Sequence, residues 1–183
     1  MKKLTACLLL LAAASFAGPL SGRRAASFSL PDSSGRFHDL VDYRGKVVIL
    51  EVMKTDCPHC QTLAKTLERV KAKFGDRIQV LSIVNPPDSP QTVGQFIAKF
   101  KVTSPIVFDC GQAAAALLRI TPQNPSIELP QLLILDAQGV IREDYIYNDK
   151  LKGLFEGDDL IPVITRVLAG GPPAAPAKAP AKK

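Results

Sequence analysis

The 183-residue chain has no tryptophan, three tyrosines, two histidines and four cysteines. Each shortage removes a class of function. Aromatic residues make up 6% of the chain, which is thin for a platform that stacks nucleic-acid bases. Four cysteines do not make a disulfide-dense scaffold. A structural zinc site needs four ligands; beyond Cys57 and Cys60 the body offers Cys110 and His38, at no zinc-like spacing. No interior run approaches the roughly 18 consecutive apolar residues of a membrane span. The net charge of +6 is mostly an end effect, because Lys2, Lys3, Lys178, Lys182 and Lys183 carry five of those charges. A nucleic-acid binder would concentrate its charge on a folded face, so that partner is not expected.

The two ends differ from the body. Met1 to Ala17 starts with two lysines, continues with an apolar run from Leu4 to Ala14, and ends in small residues, with Ser15 and Ala17 at the −3 and −1 positions. This is the layout of a secretory signal cut after Ala17. The run is short for an uncleaved anchor, which is the alternative. Leu4-Thr5-Ala6-Cys7 has the form of a lipoprotein box, but Cys7 precedes the apolar core where it would have to follow it. The expectation is an exported protein, periplasmic or otherwise extracytoplasmic, anchored only if the signal is retained. Residues 170–183, rich in Pro, Ala and Lys, lack the apolar side chains that offset ordering entropy and are expected to be a disordered tail. Between the two ends lies one domain, residues 26–169, with no internal repeat.

Within the body, Gly45 to Met53 reads as a buried strand, dense in β-branched and aliphatic residues. Leu63, Leu67, Val70 and Phe74 then recur at helical spacing, with the lysines between them on a solvated face, and Gly75 ends the helix. Arg77 to Asn85 is a second buried strand. A helix follows with Ser89 as cap and Pro90 at its first position. Ser104 to Cys110 gives a third strand, and Gly111 to Ile120 a short helix in which the Ala113–Ala116 run suits close packing. Leu129 to Asp149 reads as two strands joined by the turn Asp136 to Gly139. A last helix lies near Asp158 to Gly170, with Asp158 or Asp159 at its start. Ahead of all this, Ala26 to Gly45 looks like a short hairpin turning at Pro31 to Gly35. Alternating strands and helices imply helices on both faces of a sheet, closed by an antiparallel hairpin.

The sequence Cys57-Pro58-His59-Cys60 carries the chemistry. A helix starting at Cys57 places its sulfur among unpaired backbone N–H groups and the positive end of the dipole, where a thiolate is favoured. Cys60 lies one turn along the same face, close enough to pair. One sulfur attacks and the other resolves, which is what thiol–disulfide exchange needs. Pro58 suits an early helical position. His59 can add positive charge beside the thiolate, and Asp56 opposes it. Haem attachment would need a histidine where Gln61 stands. A staple between residues three apart removes little chain entropy. A redox couple is the favoured reading, with metal delivery and a bare staple as alternatives.

These residues resemble the thioredoxin-like superfamily, in its exported TlpA/ResA-type branch. The resemblance covers roughly Ala26 to Ala169 and rests on "FSLPDSSGRFHDLVDYRGKVVILEV", the Cys-x-x-Cys helix and "LPQLLILDAQGVI". It implies a three-layer α/β/α sandwich with a mixed central sheet and an N-terminal β-hairpin extension. It also implies a protein thiol–disulfide oxidoreductase using a Cys57–Cys60 dithiol, with no metal and no cofactor beyond that redox-active disulfide. The partners would be protein disulfides or dithiols and a redox partner protein, met by a monomer. Carried over by position, Pro130 would be a cis-proline facing the sulfurs. Glu51 would be the buried acid behind Cys60, with the raised pKa of a carboxyl in an apolar strand. The Cys-Pro-His-Cys tetrapeptide is similar to that of DsbA-type oxidants, but the long helical insertion of that type is absent, so the direction of electron flow stays open. Where the branch usually has Trp and an apolar residue before the first cysteine, Lys54-Thr55-Asp56 stand here. "TPQNPSIE" is also longer than the usual lead-in to the proline.

Three other functions compete. Peroxidases of the peroxiredoxin type resemble a pattern with Thr three, and Pro seven, residues before the reactive cysteine; Lys54 and Leu50 stand there. Copper-binding assembly factors space their cysteines one residue wider and add a distal histidine. A redox-silent docking module would leave the pair unreactive. Cys110, at the end of a strand, is expected to be a buried inert thiol, and His38 a solvated surface residue.

Overall fold

The computed structural model describes residues 19–171; the expected leader 1–17 lies outside them, as does the expected tail apart from Gly170 and Gly171. A two-stranded antiparallel sheet, β1 (Ser29–Pro31) and β2 (Phe37–Asp39), stands apart from the main sheet. The main elements in chain order are β3 (Val47–Met53), α1 (Pro58–Phe74), β4 (Ile78–Val84), α2 (Pro90–Phe100), β5 (Ile106–Phe108) and α3 (Gln112–Leu118). They continue with β6 (Gln131–Leu135), β7 (Ile141–Ile146), α4 (Lys152–Glu156) and α5 (Leu160–Leu168). Spatial order across the sheet is β5-β4-β3-β6-β7, with β3 parallel to β4, β4 parallel to β5, and β6 antiparallel to both β3 and β7.

The side-chain period of two in a strand divides the core. Val47 and Ile49 of β3, with Ile78 and Val80 of β4 and Leu132 and Ile134 of β6, face one layer. There they meet Leu63, Leu67, Val70 and Phe74 of α1, together with Leu154, Phe155, Leu160 and Ile164 of α4 and α5. Val48 and Leu50, with Leu81, Ile83, Leu133 and Leu135, face the other layer against Leu117 of α3, Leu40 and Leu20. Each fully buried aliphatic or aromatic side chain contributes about 1.5–3 kcal/mol by leaving water. The expected three-layer arrangement with an N-terminal hairpin and a mixed sheet is thus present. By the same alternation Glu51 shares its face with Val47 and Ile49, toward α1.

Local signals explain the boundaries. Ser89 caps α2 by accepting from Thr92 N, while Thr92 Oγ1 accepts from Ser89 N, and Pro90 opens the helix. Gly75 ends α1 at φ +57°, a region where a side chain is strained. In the β6–β7 turn, Asp136 accepts from Gln138 N and Val140 N, both at 2.9 Å, and Gly139 takes φ +77°.

Three departures from the sequence reading have physical causes. The packed body begins ahead of Ala26: Gly22 N donates to Ile141 O and Ala25 N to Gly139 O, so Leu20 and Ala25 are buried. His38 is buried and not solvated, because its Nε2 lies 2.9 Å from Asp32 Oδ2 and its Nδ1 lies 2.6 Å from the Tyr43 hydroxyl. The short helix α4, with Gly153 inside it and Gly157 at its C-terminal cap, has too few turns to show a helical period. It nonetheless delivers Phe155, which is fully buried, to the α1 layer and against the edge of Tyr147. Phe155→Ala is expected to lower the free energy of unfolding by about 3–5 kcal/mol, read from urea denaturation followed by far-UV circular dichroism.

Candidate active site

The sheet places the C-terminal end of β3 under the start of α1. Cys57 is the cap residue of that helix: its backbone is extended (φ −78°, ψ 119°) and its Sγ accepts the Cys60 N–H at 3.3 Å. Pro58 fills the first helical position. Both cysteines are free thiols; Cys57 is half-buried and Cys60 fully buried. Cys60 sits among Met53, Ala64, Val84, Val93, Phe96 and Ile106, with Cys57 and Leu129 packed at the margin. Burial, and after it the Glu51 charge, push the Cys60 thiol well above its ordinary range.

Glu51 is 1% exposed. Its Oε2 accepts from Ser82 Oγ at 2.8 Å, the residue in register with it on β4. Its Oε1 has no hydrogen-bond partner among the described residues. Burial raises its pKa to about 7, against the lowering effect of the Ser82 hydrogen bond. Position 51 implies a carboxyl behind Cys60; the serine that holds it is set by the β3–β4 pairing of "VVILEVM" with "IQVLSIV", which aligns the two polar residues.

The loop before Cys57 is polar and anchored. Asp88, just ahead of the α2 cap, accepts from Thr55 N at 3.2 Å, from Thr92 Oγ1 at 3.0 Å, and from the Thr55 hydroxyl. Gln61 Nε2 donates back to Thr55 O at 2.9 Å. Lys54 and Asp56 are exposed. This strap stands where the resembled branch has its tryptophan.

His59 turns outward onto a platform that no local signal announces. Its ring stacks on Tyr147 with centroids 3.7 Å apart and planes 21° from parallel. Its Nδ1 lies 3.6 Å from Glu156 Oε1, the same oxygen that accepts from the Tyr147 hydroxyl at 2.8 Å. Lys152 Nζ lies 3.6 Å from Glu156 Oε2. The Tyr147 hydrogen bond, together with Lys152, holds the Glu156 carboxyl below its ordinary range.

The Leu129–Pro130 bond is cis, and Pro130 is buried at the head of β6. Beside it opens a groove of about 520 Å³ lined by Met53, Lys54, Pro86, Cys110, Ile127 and Leu129. Cys110 is therefore exposed, contrary to the buried thiol expected. β5 ends at Phe108, and Asp109 turns inward instead, accepting from Ala113 N at 3.2 Å and Ala114 N at 2.9 Å of α3. Among the described residues no three His, Cys, Asp or Glu side chains gather as a metal site, and no helix is long and apolar enough to cross a membrane.

The model of the AhpC/TSA family matches residues 21–144. The thioredoxin-like protein YneN of Bacillus subtilis is 27% identical over 131 residues, 70% of this chain and 73% of that protein. A thiol-disulfide oxidoreductase ResA of Halalkalibacterium halodurans is 26% identical over 121 residues, 66% of this chain and 65% of that protein. Among solved structures, a protein from Chlorobium tepidum described as a DsbE-type thiol:disulfide interchange protein superposes with a TM-score of 0.66 at 20% identity, covering 81% of this chain and 97% of that one. That likeness establishes a thioredoxin-like fold.

Two outcomes follow from burial. In the native reduced protein, brief alkylation is expected to modify Cys57 and Cys110 and to spare Cys60, as read by peptide mass mapping. Glu51, with a folded pKa of about 7 against an ordinary value of 4.5, binds more protons folded than unfolded between those values. Its contribution to stability is therefore full below about pH 4.5 and is lost as pH rises through about 7. The loss amounts to roughly 3 kcal/mol. Glu51→Gln is expected to remove that component of the pH slope in denaturation measured at several pH values.

Proposed function

The chain belongs to the AhpC/TSA family, and on that premise we propose that it is a protein thiol–disulfide oxidoreductase of the TlpA/ResA type, working through Cys57 and Cys60. The observation that carries this reading is the unequal pair on one helical turn: a half-buried sulfur that receives the Cys60 N–H, and a fully buried sulfur behind it. In the reducing direction the Cys57 thiolate attacks one sulfur of a substrate disulfide. The substrate's other sulfur departs as a thiolate, leaving a Cys57–substrate mixed disulfide. Cys60 then loses its proton to Glu51 and attacks Cys57 Sγ. The Cys57–Cys60 bond forms, the mixed disulfide breaks, and the second substrate sulfur leaves with the electron pair. Run backwards, the same steps oxidise a substrate dithiol.

The remaining residues have supporting roles. Pro58 starts the helix without wasting a donor. His59 turns its ring away onto Tyr147 and Glu156 and so ties the start of α1 to the segment after β7. The backbone at Leu129 and Pro130 borders the groove in which an extended substrate segment would lie. No cofactor is needed beyond the dithiol itself; a redox partner protein would reset it. The basic-then-apolar opening of the chain supports work outside the cytoplasm.

Cys57→Ser is expected to abolish exchange with a protein disulfide. Cys60→Ser is expected to accumulate Cys57-linked mixed disulfides, visible by non-reducing electrophoresis. If exchange persists in both variants, the assignment of the dithiol is wrong.

A further inference from the structure

β4 sends Ile78, Val80, Ser82 and Val84 to the α1 face, in register with Val47, Ile49, Glu51 and Met53 of β3. Ser82 alone in that row is polar, and it is 4% exposed. A buried hydroxyl costs stability unless it is hydrogen-bonded. The partner of this one is the Glu51 carboxyl, at 2.8 Å from Oε2. The two oxygens of Glu51 are thus unlike. One is tied to β4 and the other, Oε1, carries no hydrogen bond among the described residues. A fixed carboxyl with one oxygen free is suited to receiving a proton.

We propose that Ser82 is a positioning residue for the resolving step: its hydroxyl holds Glu51 through Oε2 and keeps it in the carboxylate form that can accept the Cys60 proton at Oε1. This rests on the oxidoreductase reading given above. The proton moves from Cys60 Sγ to Glu51. The Cys60 electron pair forms the bond to Cys57 Sγ, and the pair of the broken mixed disulfide leaves on the outgoing sulfur. Ser82 neither gains nor loses a proton.

The surroundings of Glu51 agree with this division of roles. α1 brings the Cys60 thiol toward it, with Cys57 beyond at the helix cap, and β6 sets Leu132 opposite it in register. Lys54, just past the end of β3, bears on the Cys60 thiol through its backbone. Burial pushes the Glu51 pKa up, and the Ser82 hydrogen bond opposes that shift. Without the hydroxyl the carboxyl would stay protonated to higher pH.

The test separates the two chemical steps. Reduced protein carrying Cys7→Ser and Cys110→Ser, so that the dithiol is the sole thiol pair, is mixed with 5,5′-dithiobis(2-nitrobenzoate) in a stopped-flow instrument. The first release of thionitrobenzoate reports attack by Cys57, and the second reports attack by Cys60 on the mixed disulfide. Ser82→Ala is expected to move the pH inflection of the second release upward by about one to two units. At neutral pH it should slow that release about ten-fold, while the first release keeps its profile. Ser82→Thr, which retains a hydroxyl, should follow the parent, and Ser82→Val, of nearly the same size as Thr, should follow Ser82→Ala. This Thr/Val comparison keeps the test open if alanine weakens the fold. In a Glu51→Gln background, Ser82→Ala should have no further effect. The proposal is overturned if Ser82→Ala or Ser82→Val superimposes on the parent, or if Ser82→Thr shifts as far as they do. Absence of any second release in the parent would instead sink the oxidoreductase reading itself.

Discussion

A sulfur does the work of a helix cap. At the head of α1 the position usually held by a serine or aspartate oxygen is taken by Cys57 Sγ, which receives the Cys60 N–H. Sulfur is a weaker acceptor than oxygen, so the start of the helix needs other supports. Pro58 pre-sets the first backbone angle, Gln61 ties back to the preceding loop, and Asp88 grips Thr55 from the neighbouring helix cap. The outcome is a helix end fixed in place around a sulfur that is free to react. Without that fixed end the two thiols would have no defined separation, and Glu51 would have no thiol held toward it.

The second constraint is the alternation of side chains along β3. The strand is buried on both faces, so a single polar residue within it must go to one layer or the other. Position 51 falls on the face of Val47 and Ile49 and therefore meets α1, which carries Cys60. A shift of one residue would have sent the carboxyl to the opposite layer, against the N-terminal segment and α3. The register with β4 then decides which residue stands beside it, and that residue is Ser82. A cross-strand neighbour is a strong determinant of a carboxyl's behaviour here because the apolar layer leaves few other influences.

Much of this was legible in the sequence where the deciding contacts are local. Ser89 and Pro90 mark a helix start; Gly75 marks an end; Asp136 to Gly139 mark a turn. Cys57 and Cys60 declare their proximity by spacing alone. The rest depends on side-chain pairings, near or far in the chain, that no spacing rule announces. The place of His38 in a short N-terminal hairpin implies a solvated ring, yet Asp32 and Tyr43 close over it. The place of Cys110 at the end of an expected strand implies a buried thiol, yet Asp109 takes the inward position and accepts from the first N–H groups of α3. Ser82, Asp88 and Tyr147 acquire their places only through strand register and helix packing, and α4 is too short for a helical period to be visible.

The clamp on His59 has a consequence for how this centre can vary. Tyr147 and Glu156 lie beyond residue 144, where the family match ends, yet they decide what the histidine between the two cysteines touches. The surroundings of the histidine between the two cysteines are thus partly written in the C-terminal third of the chain. Two homologues with identical Cys-Pro-His-Cys segments but different C-terminal helices would give that histidine different company. A tetrapeptide comparison between relatives would then group proteins whose central histidines sit in unlike settings, and a graft of the motif alone would leave that setting behind.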